Sequence, residues 1–124
     1  MDGADITPAP TAKGLGTHLI IDVSGGQGLD DKRRVETALR DAVAASGATL
    51  LGIHLHQFAP QGVTGVAMLA ESHISVHTWP ELGFAAFDAF MCGKADPWAV
   101  VDVLSKAFET TDVQVRAFSR GDRA

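Results

Sequence analysis

The spacing of apolar positions changes several times along the chain, and each change marks an element. Residues 18–23 form a short apolar run that ends in Ser24-Gly25-Gly26-Gln27-Gly28, which predicts a strand and a flexible turn. Over residues 29–46 the period becomes helical. Val35, Ala38, Leu39, Ala42 and Val43 share one face, while Lys32, Arg33, Glu36 and Arg40 lie mostly elsewhere on the wheel. Asp30 and Asp31 are expected in the first turn, where the helix dipole favours negative charge, and Gly47 is a natural stop. Four strand-like runs follow, at residues 49–58, 63–70, 73–79 and 84–92, with turn signals at 59–62 and 80–83. A second helix is expected after Asp96 as cap and Pro97 at the first position, with Trp98, Val101, Leu104 and Phe108 inward. A last strand spans residues 113–118, where Val113, Val115 and Ala117 alternate with Gln114, Arg116 and Phe118.

The predicted order is β-α-β-β-β-β-α-β. Hairpins between two helices imply an α+β fold, a two-layer sandwich with a largely antiparallel sheet and both helices on one face. The other sheet face is then left open. In the run 73–79, Ile74 and Val76 point to one side and His73, Ser75, His77 and Trp79 to the other. The second set is too polar for a core and too aromatic for a plain solvated face. It predicts a functional surface, an oligomer interface, or both. Residues 1–15, with two prolines and no apolar period over the first fourteen, are expected to be a disordered N-terminal tail. A single domain is expected over 16–119, and a polar tail over 120–124.

Composition narrows the function classes. The 124 residues carry 15 acids against 10 bases, a net charge of -5, which argues against charge-driven nucleic-acid binding. No apolar run reaches the roughly 18 residues of a membrane span, and no basic-then-apolar leader opens the chain. With Cys92 as the single cysteine, no internal disulfide forms, and a cytoplasmic protein is expected.

Four groups carry candidate chemistry: Glu71-Ser72-His73, His77, Cys92, and the pair His54/His56. His54 and His56 share a strand face and with His73 and His77 offer zinc-ligand atoms, but no acid or second cysteine stands near at ligand spacing, so no metal is assigned. Cys92 reads either as a nucleophile beside a histidine, or as a small core residue. Ser72 is not a triad serine, because its neighbours Glu71 and His73 point to the opposite strand face. The glycines at 25–28 lack a dinucleotide or phosphate-loop fingerprint.

The stretch Glu71-Ser72-His73-Ile74-Ser75-Val76-His77-Thr78-Trp79-Pro80-Glu81, followed by residues 83–88 and Met91-Cys92-Gly93, resembles the bacterial and archaeal S-adenosylmethionine decarboxylase proenzyme family. The likeness extends through residues 18–22, 46–49, Phe58-x-Pro60-x-Gly62-Val63 and Asp96-Pro97-Trp98, and covers roughly residues 16–118. The resemblance implies self-cleavage between Glu71 and Ser72, with Ser72 becoming a covalent pyruvoyl group and no metal or pyridoxal phosphate required. It implies His77 as the base that removes the Ser72 α-proton, Thr64 as a supporting hydroxyl in processing, and Cys92 as the proton donor after carbon dioxide leaves. Phe58, Trp79 and Glu81 match substrate-binding positions. A homodimer with active sites shared across its interface is implied, and polyamine synthesis is the consumer of the product. Leu82, Phe84, Thr64 and the segment Ser24-Gly25-Gly26 depart from the family's usual residues. An arginine or ornithine decarboxylase on the same machinery, and an unprocessed regulatory relative, are the alternatives.

Overall fold

A computed structural model describes the backbone of residues 5–6 and residues 14–123 of the chain. After the two-residue strand β1 (Asp5–Ile6), the elements are β2 (Gly16–Ser24), α1 (Lys32–Ser46), β3 (Leu50–Gln57), β4 (Val63–Leu69), β5 (Ser72–Trp79), a 3-10 turn (Pro80–Leu82), β6 (Phe84–Cys92), α2 (Trp98–Ala107) and β7 (Val113–Arg120). They form one sheet in the order β1-β7-β2-β6-β5-β4-β3. All neighbours pair antiparallel except β1, which lies parallel to β7. The expected α+β sandwich is the fold observed. Within the expected tail, Asp5–Ile6 is a strand and Leu15 donates its N–H to the Arg120 carbonyl; residues 1–4 and 7–13 lie outside the described residues.

Both helices cover one face. Val35, Leu39 and Ala42 of α1, and Val100 and Leu104 of α2, are buried together with the inward residues of the sheet, among them Leu19, Ile21, Ile74, Val76, Phe87 and Val115. Alternation is strict in β6, where Ala85, Phe87, Ala89 and Met91 are buried and Phe84, Ala86, Asp88, Phe90 and Cys92 are not. The second set defines the open face. Val66, Met68, Trp79 and Phe118, each next in sequence to a buried residue, are large exposed side chains on it.

Helix α1 starts three residues later than the period predicts. Asp31 is extended (φ -94, ψ 100) and caps the helix by accepting the Arg34 N–H at 3.1 Å, a bond worth about 1 kcal/mol. Asp30 lies outside the helix. Its carboxylate accepts the Gly62 N–H at 2.8 Å and the Gln57 side-chain N–H at 2.9 Å. It therefore pins the β3–β4 loop rather than serving the helix dipole. In α2 Pro97 precedes the first helical residue, and the Asp96 carboxylate accepts the Trp98 N–H at 2.9 Å, as a cap should.

Candidate active site

Most of the residues singled out from the sequence fall into two groups at opposite ends of β5, with His73 and Ser75 between them on the open face and His54 and His56 on β3. At its start, β4 and β5 join through a two-residue turn, Ala70-Glu71, between the paired residues Leu69 and Ser72. Glu71 takes φ 60, the left-handed region that glycine or asparagine ordinarily fills. Holding a glutamate there costs on the order of 1–3 kcal/mol. Ser72 is half-buried, and its Oγ accepts the backbone N–H of Cys92 at 3.2 Å. Glu71, Ser72 and Cys92 are thus brought together, although Cys92 lies twenty residues further along the chain.

At the other end of β5, Phe58, Thr64, His77, Trp79 and Glu81 line one open cleft of about 300 Å³. Strand register explains the convergence. Thr64 stands opposite His56 on one side and His77 on the other, and its hydroxyl lies 3.1 Å from His77 Nδ1. The Trp79 ring lies 5.7 Å from Phe84 and 6.3 Å from the His77 imidazole. The buried Thr78 hydroxyl accepts the Val63 N–H at 2.8 Å and ties the wall of the cleft to the core. The Phe58 loop is held by its own pairing with Gly62 and by Asp30. His77 and Trp79 are exposed, and the cleft is lined by aromatic and polar groups but by no serine.

His77 and Ser72 do not meet within one chain. Five residues of strand separate them by about 16 Å, and the pleat turns them to opposite faces.

A third cluster joins His73 and Ser75, already noted on the polar face, to Asp88, to which the sequence assigned no role. In the middle of the open face the Asp88 carboxylate accepts from three side chains. Oδ2 lies 2.5 Å from His18 Nε2 and 3.0 Å from His73 Nε2, and Oδ1 accepts the Ser75 hydroxyl. Burial opposes the Asp88 charge, but the bonds from Ser75, His18 and His73 outweigh it and hold the pKa below the ordinary aspartate value. Arg120 donates to His18 Nδ1 at 3.0 Å, which leaves Nε2 as the nitrogen that carries the proton. Among the described residues, His18, His73 and Asp88 are a set whose ligand atoms lie within 4.8 Å of one another. Their lone pairs and protons are already spent on each other, and Arg120 adds a cation beside them, so the donor set suits a hydrogen-bond network better than a metal ion. His54 and His56, by contrast, are exposed and apart from this cluster, and His56 lies edge-on to Phe58 at 4.5 Å. The signal for Asp88 was present in the sequence: it is the single charged residue in β6, at an open-face position. Nothing local marked His18 or Arg120 as its neighbours.

A family model described as S-adenosylmethionine decarboxylase matches residues 17–121. The chain belongs to the S-adenosylmethionine decarboxylase family. It is 48% identical over 112 residues to a protein of Methanococcus maripaludis named S-adenosylmethionine decarboxylase proenzyme, covering 88% of this chain and 92% of the relative. A protein of the same name from Thermomicrobium roseum is 47% identical over 111 residues, covering 88% and 96%. The crystal structure of the adenosylmethionine decarboxylase from Aquifex aeolicus superposes with a TM-score of 0.79 at 35% identity, covering 89% of this chain and 93% of that one. The family match spans all three groups of residues, from His18 through the Glu71–Ser72 turn and the cleft to Arg120. Among the described residues of this decarboxylase-family chain, no helix is long and apolar enough to cross a membrane.

Proposed function

We propose that the chain is a self-processing, pyruvoyl-dependent S-adenosylmethionine decarboxylase that acts as a homodimer and supplies the aminopropyl donor for polyamine synthesis. The observation that carries this is the Glu71–Ser72 turn. A nucleophilic hydroxyl follows a residue held at φ 60, and it is oriented by the backbone of Cys92 at 3.2 Å. In processing, the Ser72 oxygen attacks the Glu71 carbonyl carbon and displaces the Ser72 nitrogen, so the peptide bond becomes an ester. Removal of the Ser72 α-proton then expels the Glu71 carboxylate with that oxygen and breaks the chain. Water replaces the Ser72 nitrogen, which leaves as ammonia. The geometry fits such a group, because the new chain end would start a strand beside the Cys92 backbone. A pyruvoyl group there supplies the electron sink that no ordinary side chain offers when carbon dioxide leaves.

The remaining roles belong to the chain's own side chains. His77, oriented by the Thr64 hydroxyl, removes the Ser72 α-proton. Cys92 returns a proton to the substrate's α-carbon after decarboxylation. Phe58 and Trp79 offer faces for an adenine ring, and Glu81 offers a carboxylate to ribose hydroxyls. Because His77 lies about 16 Å along β5 from its own Ser72, the complete site needs His77 from a second copy. The open face, with Val66, Met68, Trp79 and Phe118 exposed beside the Asp88 network, supports packing of two copies in twofold symmetry. A free thiol at Cys92 fits a reducing, cytoplasmic setting.

The names of the relatives favour S-adenosylmethionine over arginine or ornithine as substrate. The test is Ser72→Ala. The unaltered chain should appear on a denaturing gel as two fragments, residues 1–71 and 72–124, and release carbon dioxide from S-adenosylmethionine but not from arginine or ornithine. Ser72→Ala should remain one inactive band. A cleaved and active Ser72→Ala protein defeats the reading.

A further inference from the structure

The Asp88 network is not used by the chemistry above, yet it grips the residue next to the cleavage point. Asp88 sits four residues before Cys92 on the same strand and the same face of β6. Its two oxygens are held by Ser75 and His18, so the carboxylate is fixed from β5 and β2 at once. The third donor is His73 Nε2 at 3.0 Å, and His73 is bonded directly to Ser72.

The start of β5 has two side-chain hydrogen bonds to β6, Ser72 Oγ accepting from the Cys92 N–H and His73 to Asp88, besides the His73–Phe90 ring contact. The inference rests on the proposed processing reaction. In that reaction the Ser72 oxygen departs with the Glu71 carboxylate, so the first tie disappears when the new chain end forms. Everything left of residue 72 then hangs on the His73 amide nitrogen. Strand ends fray when little holds them. What remains on residue 73 is its backbone pairing with Met68 and Phe90, ring contacts with His18 and Phe90 at centroid distances of 6.0 and 6.2 Å, and the bond to Asp88, its one side-chain hydrogen bond among the described residues.

The geometry points to Asp88 as a positioning residue for decarboxylation: by holding His73 Nε2 it keeps the processed end of β5 in place beside Cys92. A clamp on the same rigid strand as the proton donor suits this task, since an error of about 1 Å in placing reacting atoms can cost on the order of a hundredfold in rate. Among the described residues Asp88 hydrogen-bonds neither to the cleft residues nor to Ser72, and it acts through His73.

The test compares the unaltered chain with Asp88→Ala, His73→Ala, the double variant and His73→Gln. Four readouts are taken: self-cleavage on a denaturing gel, kcat and KM for S-adenosylmethionine, amide hydrogen exchange at residues 73–76, and the rate at which phenylhydrazine modifies the new chain end. All variants should cleave. In both single alanine variants kcat should fall about 10- to 100-fold, with KM changed less than about threefold. The double variant should be no worse than either single one, because the two residues form one link. His73→Gln, whose amide nitrogen stands near the place of Nε2, should recover most of kcat. Exchange at the start of β5 should quicken in the alanine variants, and phenylhydrazine should react at least as fast as before, showing a chain end that is present but loose. Losses that add in the double variant overturn the proposal, because Asp88 would then act through His18 or Ser75. If Asp88→Ala does not fold, the near-isosteric Asp88→Asn replaces it, and a folded Asp88→Asn with the kcat and exchange of the unaltered chain also overturns it. An unaltered chain that never cleaves defeats the processing reaction itself, and the same gel shows this before any kinetics.

Discussion

Mixing two defective chains tests whether a site is built from two copies. One chain carries Ser72→Ala and keeps His77; the other carries His77→Ala and keeps Ser72. Within one chain these residues are five apart in a continuous strand, about 16 Å, whereas proton transfer needs contact at roughly 3 Å. If His77 serves the partner's Ser72, each pure dimer has no complete site. A mixed dimer has one site with both defects and one with neither. Co-refolding equal amounts at random makes about half of the dimers mixed, so about half of the His77→Ala chains should cleave and activity should return to about one-quarter of the unaltered level. Cleavage is read on a denaturing gel with one chain tagged to identify it, and activity as carbon dioxide released. Because cleavage and turnover are counted separately, a site that processes but does not decarboxylate is visible. If verified mixed dimers leave the His77→Ala chain intact, or if that chain cleaves fully alone, then His77 does not serve across an interface and the argument from strand geometry is refuted.

Three further outcomes follow from the same geometry. Cys92→Ala should still cleave, because its tie to Ser72 uses the backbone N–H that alanine keeps, but decarboxylation should fall by about 10²- to 10⁴-fold or give product protonated at the wrong carbon; full turnover would return Cys92 to a packing role. Thr64→Val removes the hydroxyl 3.1 Å from His77 Nδ1, a bond worth about 1 kcal/mol, so the cleavage half-time should lengthen severalfold to tenfold with thermal stability little changed, and an unaltered half-time would show that His77 needs no such partner. Asp88 has a pKa held below that of an unfolded aspartate, so its contribution to stability is complete above about pH 4 and is lost as the pH falls through the lower, folded value; Asp88→Asn should flatten the decline of Tm below about pH 4, and parallel curves would contradict the network.

Much of this protein was written in its pattern of apolar residues. Apolar runs bounded by turn signals, with period 2 in β5 and β7 and period 3.6 in the helices, placed every strand from β2 to β7 and both helices, because one-sided burial leaves a repeat that needs no knowledge of the partner element. The polar, aromatic face of His73, Ser75, His77 and Trp79 was visible for the same reason, and it is the face the helices leave uncovered. The run from Glu71 to Glu81, with residues 83–88 and 91–93 after it, carried the family likeness. Local signals failed at element ends. Asp30 and Asp31 look equivalent in a helix-start pattern, and only packing of the β3–β4 loop against Asp30 decided that one caps the helix and the other holds Gly62. Long-range pairing was equally illegible. Cys92 meets Ser72 because β5 and β6 pair in one particular register, and Thr64 meets His77 because β4 lies on the other side of β5. The Asp88 network joins residues from β2, β5, β6 and β7 that are up to 102 positions apart, and no periodicity encodes such a meeting. A sequence thus determines which face each side chain takes, since that depends on the local period, whereas which side chains become neighbours depends on strand order and register, and these are set by the whole core closing at once.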